Sequence, residues 1–395
     1  MLKYSLGLDV SKASFHACLS TIDNRQAVKV QRSGTFKNND KGFSELHLWI
    51  TKEHHNSSVP LVITLEATGI YHERLALFLY QNGYSVAIIL PNKAKKYIAS
   101  LGIKTKNDTA DARALSRMGA EQSLELWQPM GEFFYTLRAM TRQYQRLQQI
   151  KTMLTNQEEA ISHGAYQIEE VIESNKAMVA MVEGQLKDMQ KAISKQLHSD
   201  KEVSRKVGHV TAITGVADLS VAVVLSETNG FALFTNSRQL VSFCGYDVVE
   251  NQSGKHHGKT KISKKGNSRI RRALHMPALC AVRWKVKVFT DLYERVYARS
   301  GIKMKGYVAV QKKLLTTMYA LWKNDSDFDP NYQERLKTKT NEKARTTSDG
   351  EAEYPSRQST SAEQQSTAKK LAPHKGRAKQ GIQPSDGAGV CILSA

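Results

Sequence analysis

Tyr4-Ser5-Leu6-Gly7-Leu8-Asp9-Val10 is an apolar run with a carboxylate at its far end, and reading it as a β-strand decides the fold. The first residues, Met1-Leu2-Lys3, lead straight into it without the apolar core of a secretory leader. Further strand-like runs follow at Ser14–Ser20, Ala27–Arg32, Leu61–Ala67 and Ser85–Leu90. The first three strands succeed one another through short turns, as in an antiparallel meander. The later ones are separated by helical patterns around Asn39–Trp49 and His72–Leu79, which is the spacing that parallel strands need. A last helix is expected from about Asn107 to Ala120. The region to about Gln122 therefore reads as a mixed sheet with helices packed on it.

The rest of the chain changes character twice. From Glu132 to about Lys206 it is rich in Gln, Glu, Lys, Arg, Met and Leu and lacks Pro, with one Gly-containing break at His163-Gly164. This predicts one or two long helices pairing as a coiled coil or bundle arm, whose thin apolar stripe calls for a partner. From Val207 to Asn324 the pattern is mostly helical around a Gly- and Lys-rich loop at Asn251–Asn267. After Asp325 large apolar residues thin out, so the tail is expected to be unable to offset its ordering entropy. The expected division is residues 1–125, an arm at 132–206, a third domain at 207–325 and a disordered basic and polar tail at 336–395.

Charge narrows the class of partner. The 395 residues hold 57 Lys and Arg against 37 Asp and Glu, a formal net charge of +20. A small acidic metabolite does not need that excess, whereas a polyanion gains affinity with every phosphate neutralised. No run approaches the roughly 20 apolar residues of a membrane span. The four cysteines, Cys18, Cys244, Cys280 and Cys391, form no CxxC pair, which argues against a zinc ribbon or a disulfide scaffold and for a cytoplasmic home.

Three features carry chemistry. Asp9 closes the first strand and is either a turn residue or a carboxylate presented at the sheet's end. Glu66 lies within Leu61-Val62-Ile63-Thr64-Leu65-Glu66-Ala67-Thr68-Gly69, and an acid inside so apolar a strand is costly to bury without a cation or strong donor. In Lys106-Asn107-Asp108-Thr109-Ala110-Asp111-Ala112, Asp108 and Asp111 are three apart and share a helix face. Acids near a helix start also suit its dipole. Two strand-end acids and a helical pair together are what an oxygen-only two-metal site needs, and such ligands favour Mg²⁺. The strand order matches the ribonuclease-H-like fold, where acids occupy the first strand, the fourth strand and a late helix.

The loop Ser253-Gly254-Lys255-His256-His257-Gly258-Lys259-Thr260-Lys261-Ile262-Ser263-Lys264-Lys265 continues into Arg269, Arg271 and Arg272 without one acid. Read by charge alone it is a solvated loop whose Lys255, Lys259, Lys261, Lys264, Lys265, Arg269, Arg271 and Arg272 touch phosphates without sequence choice. The sharper reading makes Ser253 a nucleophile with basic neighbours stabilising the phosphate; Ser263 is the rival hydroxyl. His256 and His257 are proton donors or plain loop residues. Upstream, Ile213-Thr214-Gly215-Val216-Ala217-Asp218 has the outline of a helix-hairpin-helix turn offering backbone N–H groups to a phosphate.

With these residues in order, the chain resembles the IS-one-ten family of insertion-sequence transposases, the DEDD transposases related to the Piv invertase and also called bridge recombinases. The motifs are Leu6-Gly7-Leu8-Asp9-Val10-Ser11-Lys12, the strand ending in Glu66, the segment from Lys106 to Ala112, and Ser253-Gly254. The resemblance spans about Tyr4 to Trp322. It implies an α/β plus α architecture: a RuvC-like N-terminal domain, a coiled-coil arm and a mostly helical C-terminal transposase domain. It further implies that Asp9, Glu66, Asp108 and Asp111 bind Mg²⁺ and that Ser253 makes a transient phosphoserine bond to DNA. The partners implied are donor and target DNA, a structured guide (bridge) RNA, and further copies of the chain in a dimer or tetramer that joins one subunit's acids to another's serine. Two other readings use the same residues. A Holliday-junction nuclease would need the acids but neither the serine nor the third region. A non-catalytic nucleic-acid-binding protein would fit the charge but has no use for Glu66 in an apolar strand.

Overall fold

Alternation along the first strand sorts the N-terminal layers. In the computed structural model, which describes residues 1–67, 69–103, 107–250, 252–254, 256–258, 260–332 and 335, β1 spans Lys3–Val10. Its large apolar side chains, Tyr4, Leu6, Leu8 and Val10, belong to one core, while the small or polar Ser5, Gly7 and Asp9 point to the opposite face. Around it run β2 (Ser14–Ile22), β3 (Val28–Lys37), α1 (Asp40–Glu53), β4 (Leu61–Glu66), α2 (Glu73–Gln81), β5 (Ser85–Ile89), α3 (Pro91–Ser100) and α4 (Asp108–Glu121). The sheet order is β3-β2-β1-β4-β5. β1, β2 and β3 are antiparallel neighbours, whereas β1–β4 and β4–β5 are parallel. This is the expected ribonuclease-H-like, RuvC-like arrangement of an α/β domain.

Helices α1 and α2 cover the apolar face, with Phe43, Leu46, Ile50, Leu75 and Leu79 meeting β1 and β4. Helix α4 takes the other face, and small residues let it come close. A Cβ at Gly7 would stand 2.1 Å from the Ala112 carbonyl oxygen, and one at Gly119 would stand 2.3 Å from Thr64 Oγ1 and 2.4 Å from Ser5 Oγ. Ser116 Oγ donates to the Ser5 carbonyl at 2.8 Å, pinning the helix to the strand.

Two elements differ from expectation. β3 continues past Gly34 to Lys37, because its pairing with β2 runs on through Thr35↔His16 and Phe36↔Phe15. Helix α3, absent from the sequence reading, starts with Pro91 at a position where a missing N–H costs nothing.

The remainder is mostly helical. α5 (Glu132–Ser162) and α6 (Glu169–Leu197) form an antiparallel hairpin with its turn at His163-Gly164. Leu147, Leu154, Val182 and Leu186 make its seam, Lys151 pairs with Glu183 at 2.7 Å, and buried Asn175 donates to the Leu154 carbonyl. Part of the apolar stripe is therefore covered by the chain itself.

Next come α7 (Lys201–Thr211), α8 (Asp218–Thr228), α9 (Ser237–Phe243), the two-residue strands β6 (Val248–Val249), β7 (Gln252–Ser253), β8 (His256–His257) and β9 (Lys261–Ile262), then α10 (Ser268–Ala273), α11 (His275–Arg283), α12 (Lys287–Ser300) and α13 (Lys303–Asn324). The all-apolar stretch Val221–Leu225 puts α8 at the centre of their shared core. Gly215, in the α7–α8 turn, has φ +92°, and a Cβ there would meet Cys280 Cβ at 2.7 Å. That glycine answers to packing against α11. The first turn of α5 also reaches the N-terminal sheet: the Tyr135 hydroxyl donates to Glu73 of α2 at 2.9 Å. Among the described residues no helix is long and apolar enough to cross a membrane. Thr68, Lys106, Lys255, Lys259 and the tail at 336–395 lie outside the described residues.

Candidate active site

Parallel pairing of β1 with β4 sets Leu8 opposite Leu65, so the next residues, Asp9 and Glu66, end adjacent strands on the face that α4 covers. Helix α4 starts above those ends. Asn107 caps it by accepting from the Ala110 N–H at 2.7 Å, and Asp108 and Asp111 fill its first turn. The close seat at Gly7 thus brings the helical acids to the strand acids.

Asp9 and Glu66 sense the carboxylates around them. Burial, then repulsion from Asp108, Asp111 and Glu66, pushes the Asp9 carboxyl up to about 6, with His16 working the other way. Burial and then Asp111 also raise Glu66. His16 is Asp9's partner across β2, and its Nε2 lies 3.6 Å from Asp108 Oδ2. Its Nδ1 shares a hydrogen bond with Thr35 Oγ1 at 3.1 Å.

Among the described residues no three His, Cys, Asp or Glu side chains meet at ligand distance of one point. The cluster is a concentration of negative charge rather than a finished coordination shell. The donor chemistry still fits a hard divalent cation: the set is all carboxylate oxygen, and a cation would relieve the repulsion that adds to burial in lifting Asp9. Oxygen donors of this kind suit magnesium better than zinc.

The basic loop is built differently. β6 pairs with β9, and inside that ladder β7 pairs with β8, setting Ser253 opposite His256. Ser253 is exposed, near the tip of this inner hairpin. Ser263 is engaged elsewhere: its Oγ donates to Asp247 Oδ1 at 2.6 Å, and its N–H donates to the Asp247 carbonyl. Lys261, Lys264, Lys265, Arg269 and Arg272 are exposed. Arg271 instead donates to the carbonyls of Cys244 and Lys264 at 2.7 and 3.2 Å, holding the base of the loop.

Comparisons with known proteins agree with this layout. A DEDD transposase model of the IS110 type matches residues 6–163, and the family described as Transposase IS116/IS110/IS902 matches residues 208–294. The chain belongs to this transposase family. The pilin gene-inverting proteins of Moraxella lacunata and Moraxella bovis are each 28% identical to it over 335 residues, covering 85% of this chain and 100% of theirs. Thermus thermophilus RuvC, alone and with a Holliday junction substrate, is 12% and 11% identical over 31% of this chain and 99% of RuvC, at a TM-score of 0.25. At that score it is the strand order that defines the fold.

As a member of that family the transposase is a DNA-cleaving and strand-exchanging enzyme. Its structure adds residues that the sequence did not single out. Glu227, buried in α8, accepts two hydrogen bonds from Arg142 of α5 at 2.8 and 3.0 Å and one from Asn267 Nδ2 at 2.8 Å. Burial pushes its carboxyl up, yet Arg142, Asn267 and Arg269 outweigh that and hold it below its ordinary value. Asn267 also caps α10, so this buried carboxylate anchors the end of the transposase's basic loop. An acid within the apolar stretch Asp218–Thr228 was the available signal.

Proposed function

We propose that this transposase excises and inserts its own mobile element, with Asp9, Glu66, Asp108 and Asp111 holding Mg²⁺ and Ser253 acting as the nucleophile. The observation that carries the reading is the convergence of carboxylates from β1, β4 and α4 at a half-buried point, where burial first and then their mutual repulsion lift Asp9 to about 6. Nothing in a purely structural cluster calls for such repulsion. When bound, divalent ions activate an attacking oxygen and stabilise the leaving one in phosphoryl transfer.

The chain's own residues do the rest. Ser253 Oγ forms a bond to the DNA phosphorus as one phosphorus–oxygen bond to the sugar breaks, its proton passing to the departing side. Its exposure at a hairpin tip suits an approach to DNA, while Ser263, bonded to Asp247, is a loop strut. Lys261, Lys264, Lys265, Arg269 and Arg272 offset phosphate charge, and Lys255 and Lys259 belong to the same basic stretch.

Sequence choice is delegated to a structured guide RNA, which fits basic loops with no means of selecting bases. Copies associate as a dimer or tetramer that pairs one subunit's acids with another's serine. Exposed Ile150, Met153, Met178 and Met181 on the helical hairpin support such an association. The chain acts in the cytoplasm, where its element's DNA lies.

A denaturing gel of the transposase with labelled donor DNA tests the chemistry. Ser253→Ala is expected to abolish the covalent protein–DNA adduct, and an adduct that persists in that variant removes the role from Ser253. Asp9→Asn and Glu66→Gln are expected to abolish exchange while RNA still co-purifies. Magnesium is expected to raise the Tm of the wild-type chain above pH 6 and to do so less in Asp9→Asn; equal shifts refute the metal assignment.

A further inference from the structure

The α11–α12 turn reads Arg283-Trp284-Lys285-Val286-Lys287, an aromatic residue set among cations. Trp284 is 60% exposed, the largest side chain in the third region to stand so far into solvent. The turn is nevertheless rigid. The Lys285 N–H donates to the Val282 carbonyl and the Val286 N–H to the Ala281 carbonyl, the paired bonds that end a helix through a left-handed residue. Beneath it, Gly215 abuts Cys280 and Ala281, and Phe289 is buried in the core. Lys285 occupies the left-handed position at φ +54°, where glycine is favoured. A lysine kept there against backbone preference directs attention to its side chain.

Beside the turn lies an open cavity of about 540 Å³ whose lining includes Arg283, Lys285, Lys287, Asp291 and Glu294. The lining thus mixes cations, from the turn and the first residue of α12, with two carboxylates of that helix.

We propose that this turn and cavity bind an unpaired DNA strand, with a base stacked on Trp284, phosphates against Arg283 and Lys285, and base N–H groups of the strand turned to Asp291 and Glu294. The two carboxylates in the lining argue against a simple phosphate site, because they would repel an anion. An unpaired base offers both a free face for stacking and free N–H donors. In duplex DNA the faces are covered by neighbouring bases and the pairing edges are occupied. Strand exchange by a DNA transposase must at some stage hold strand ends apart from their partners, and this surface supplies what such an end presents. The inference rests on the family's reaction alone and does not depend on which acids or which serine perform it.

The test is fluorescence anisotropy of the full chain with one labelled sequence presented as single-stranded DNA, as duplex DNA and as single-stranded RNA. Trp284→Ala is expected to weaken single-stranded DNA binding about tenfold, with duplex binding changed less than about twofold and Trp284→Phe retaining most of the affinity. Lys285→Gly, which suits the backbone and preserves the fold, is expected to lower the affinity and flatten its salt dependence. Glu294→Ala is expected to weaken single-stranded binding about threefold although it removes a negative charge, because base N–H groups lose an acceptor. Unchanged single-strand affinity in Trp284→Ala, an equal loss on duplex, or a loss confined to RNA would each overturn the proposal. A Glu294→Ala chain that binds single-stranded DNA as tightly as wild type, or more tightly, would overturn the cavity's part in it.

Discussion

The acid cluster and the serine hairpin are held by opposite means. Asp9 and Glu66 end strands buried in the sheet, and Asp108 and Asp111 ride on a helix seated so closely that one added methyl at Gly7 would strike its backbone. Ser253 sits on a two-residue strand at an exposed tip, and a Cβ on the adjacent Gly254 would touch nothing within 4 Å. Groups that gather charge need fixed spacing, and a close-packed core supplies it. A hydroxyl that must approach a strand of DNA needs reach, and a short ladder on a solvated loop allows it. The difference teaches that the two halves of the proposed chemistry tolerate very different kinds of change.

The largest effect is expected at the seat of α4. Gly7→Ala places a Cβ 2.1 Å from the Ala112 carbonyl oxygen, and should cost about 3 kcal/mol or more in urea denaturation together with strand exchange. A Gly7→Ala chain as stable as wild type would break the contrast at its root. Next is the anchor of the basic loop. Arg142→Met leaves buried Glu227 without its two strongest donors, so stability should fall by roughly 2–3 kcal/mol, with the loop more open to proteolysis.

Asp9 should respond in the other direction. Its folded value of about 6 lies above the ordinary 3.8, so the folded chain binds the proton more tightly than the unfolded one. The stability linked to that proton is whole below pH 3.8 and is lost as pH rises through about 6. Asp9→Asn should therefore be more stable than wild type by ~1–2 kcal/mol above that range, after allowance for screening, and equal to it below. Denaturation curves at two pH values decide the point, and a variant that is less stable at neutral pH would mean the acids do not oppose one another. The smallest effect belongs to the hairpin. Ser253→Ala should leave Tm within about one degree, since surface changes away from packed features stay near zero. A large drop there would make the serine a structural residue.

Much of this was legible from the chain of residues, for identifiable reasons. The apolar runs and the helices between them gave the sheet, because burial imposes period and length on sequence. The acids stood out by sitting where apolar neighbours make charge expensive, although Glu66 turned out to occupy the very end of its strand and to be only partly buried. The seat at Gly7 was harder to see. The row Ser5, Gly7, Asp9 shows a face of small side chains only when set beside Ala112, Ser116 and Gly119, more than a hundred positions away. Ser263 looked as free as Ser253 because its bond to Asp247 depends on the pairing of β6 with β9, a ladder too short to have a pattern. Glu227 and Arg142 are 85 residues apart, and no local rule joins them. Lys255 and Lys259 lie outside the described residues.

Two neighbouring turns of α5 have separate obligations. Tyr135 reaches Glu73 beneath the acid-bearing sheet, and Arg142, two turns on, grips Glu227 beneath the basic loop. That stretch of helix is a shared axle. One rigid rod thus carries both anchors, and a kink introduced between Tyr135 and Arg142 would disturb them together.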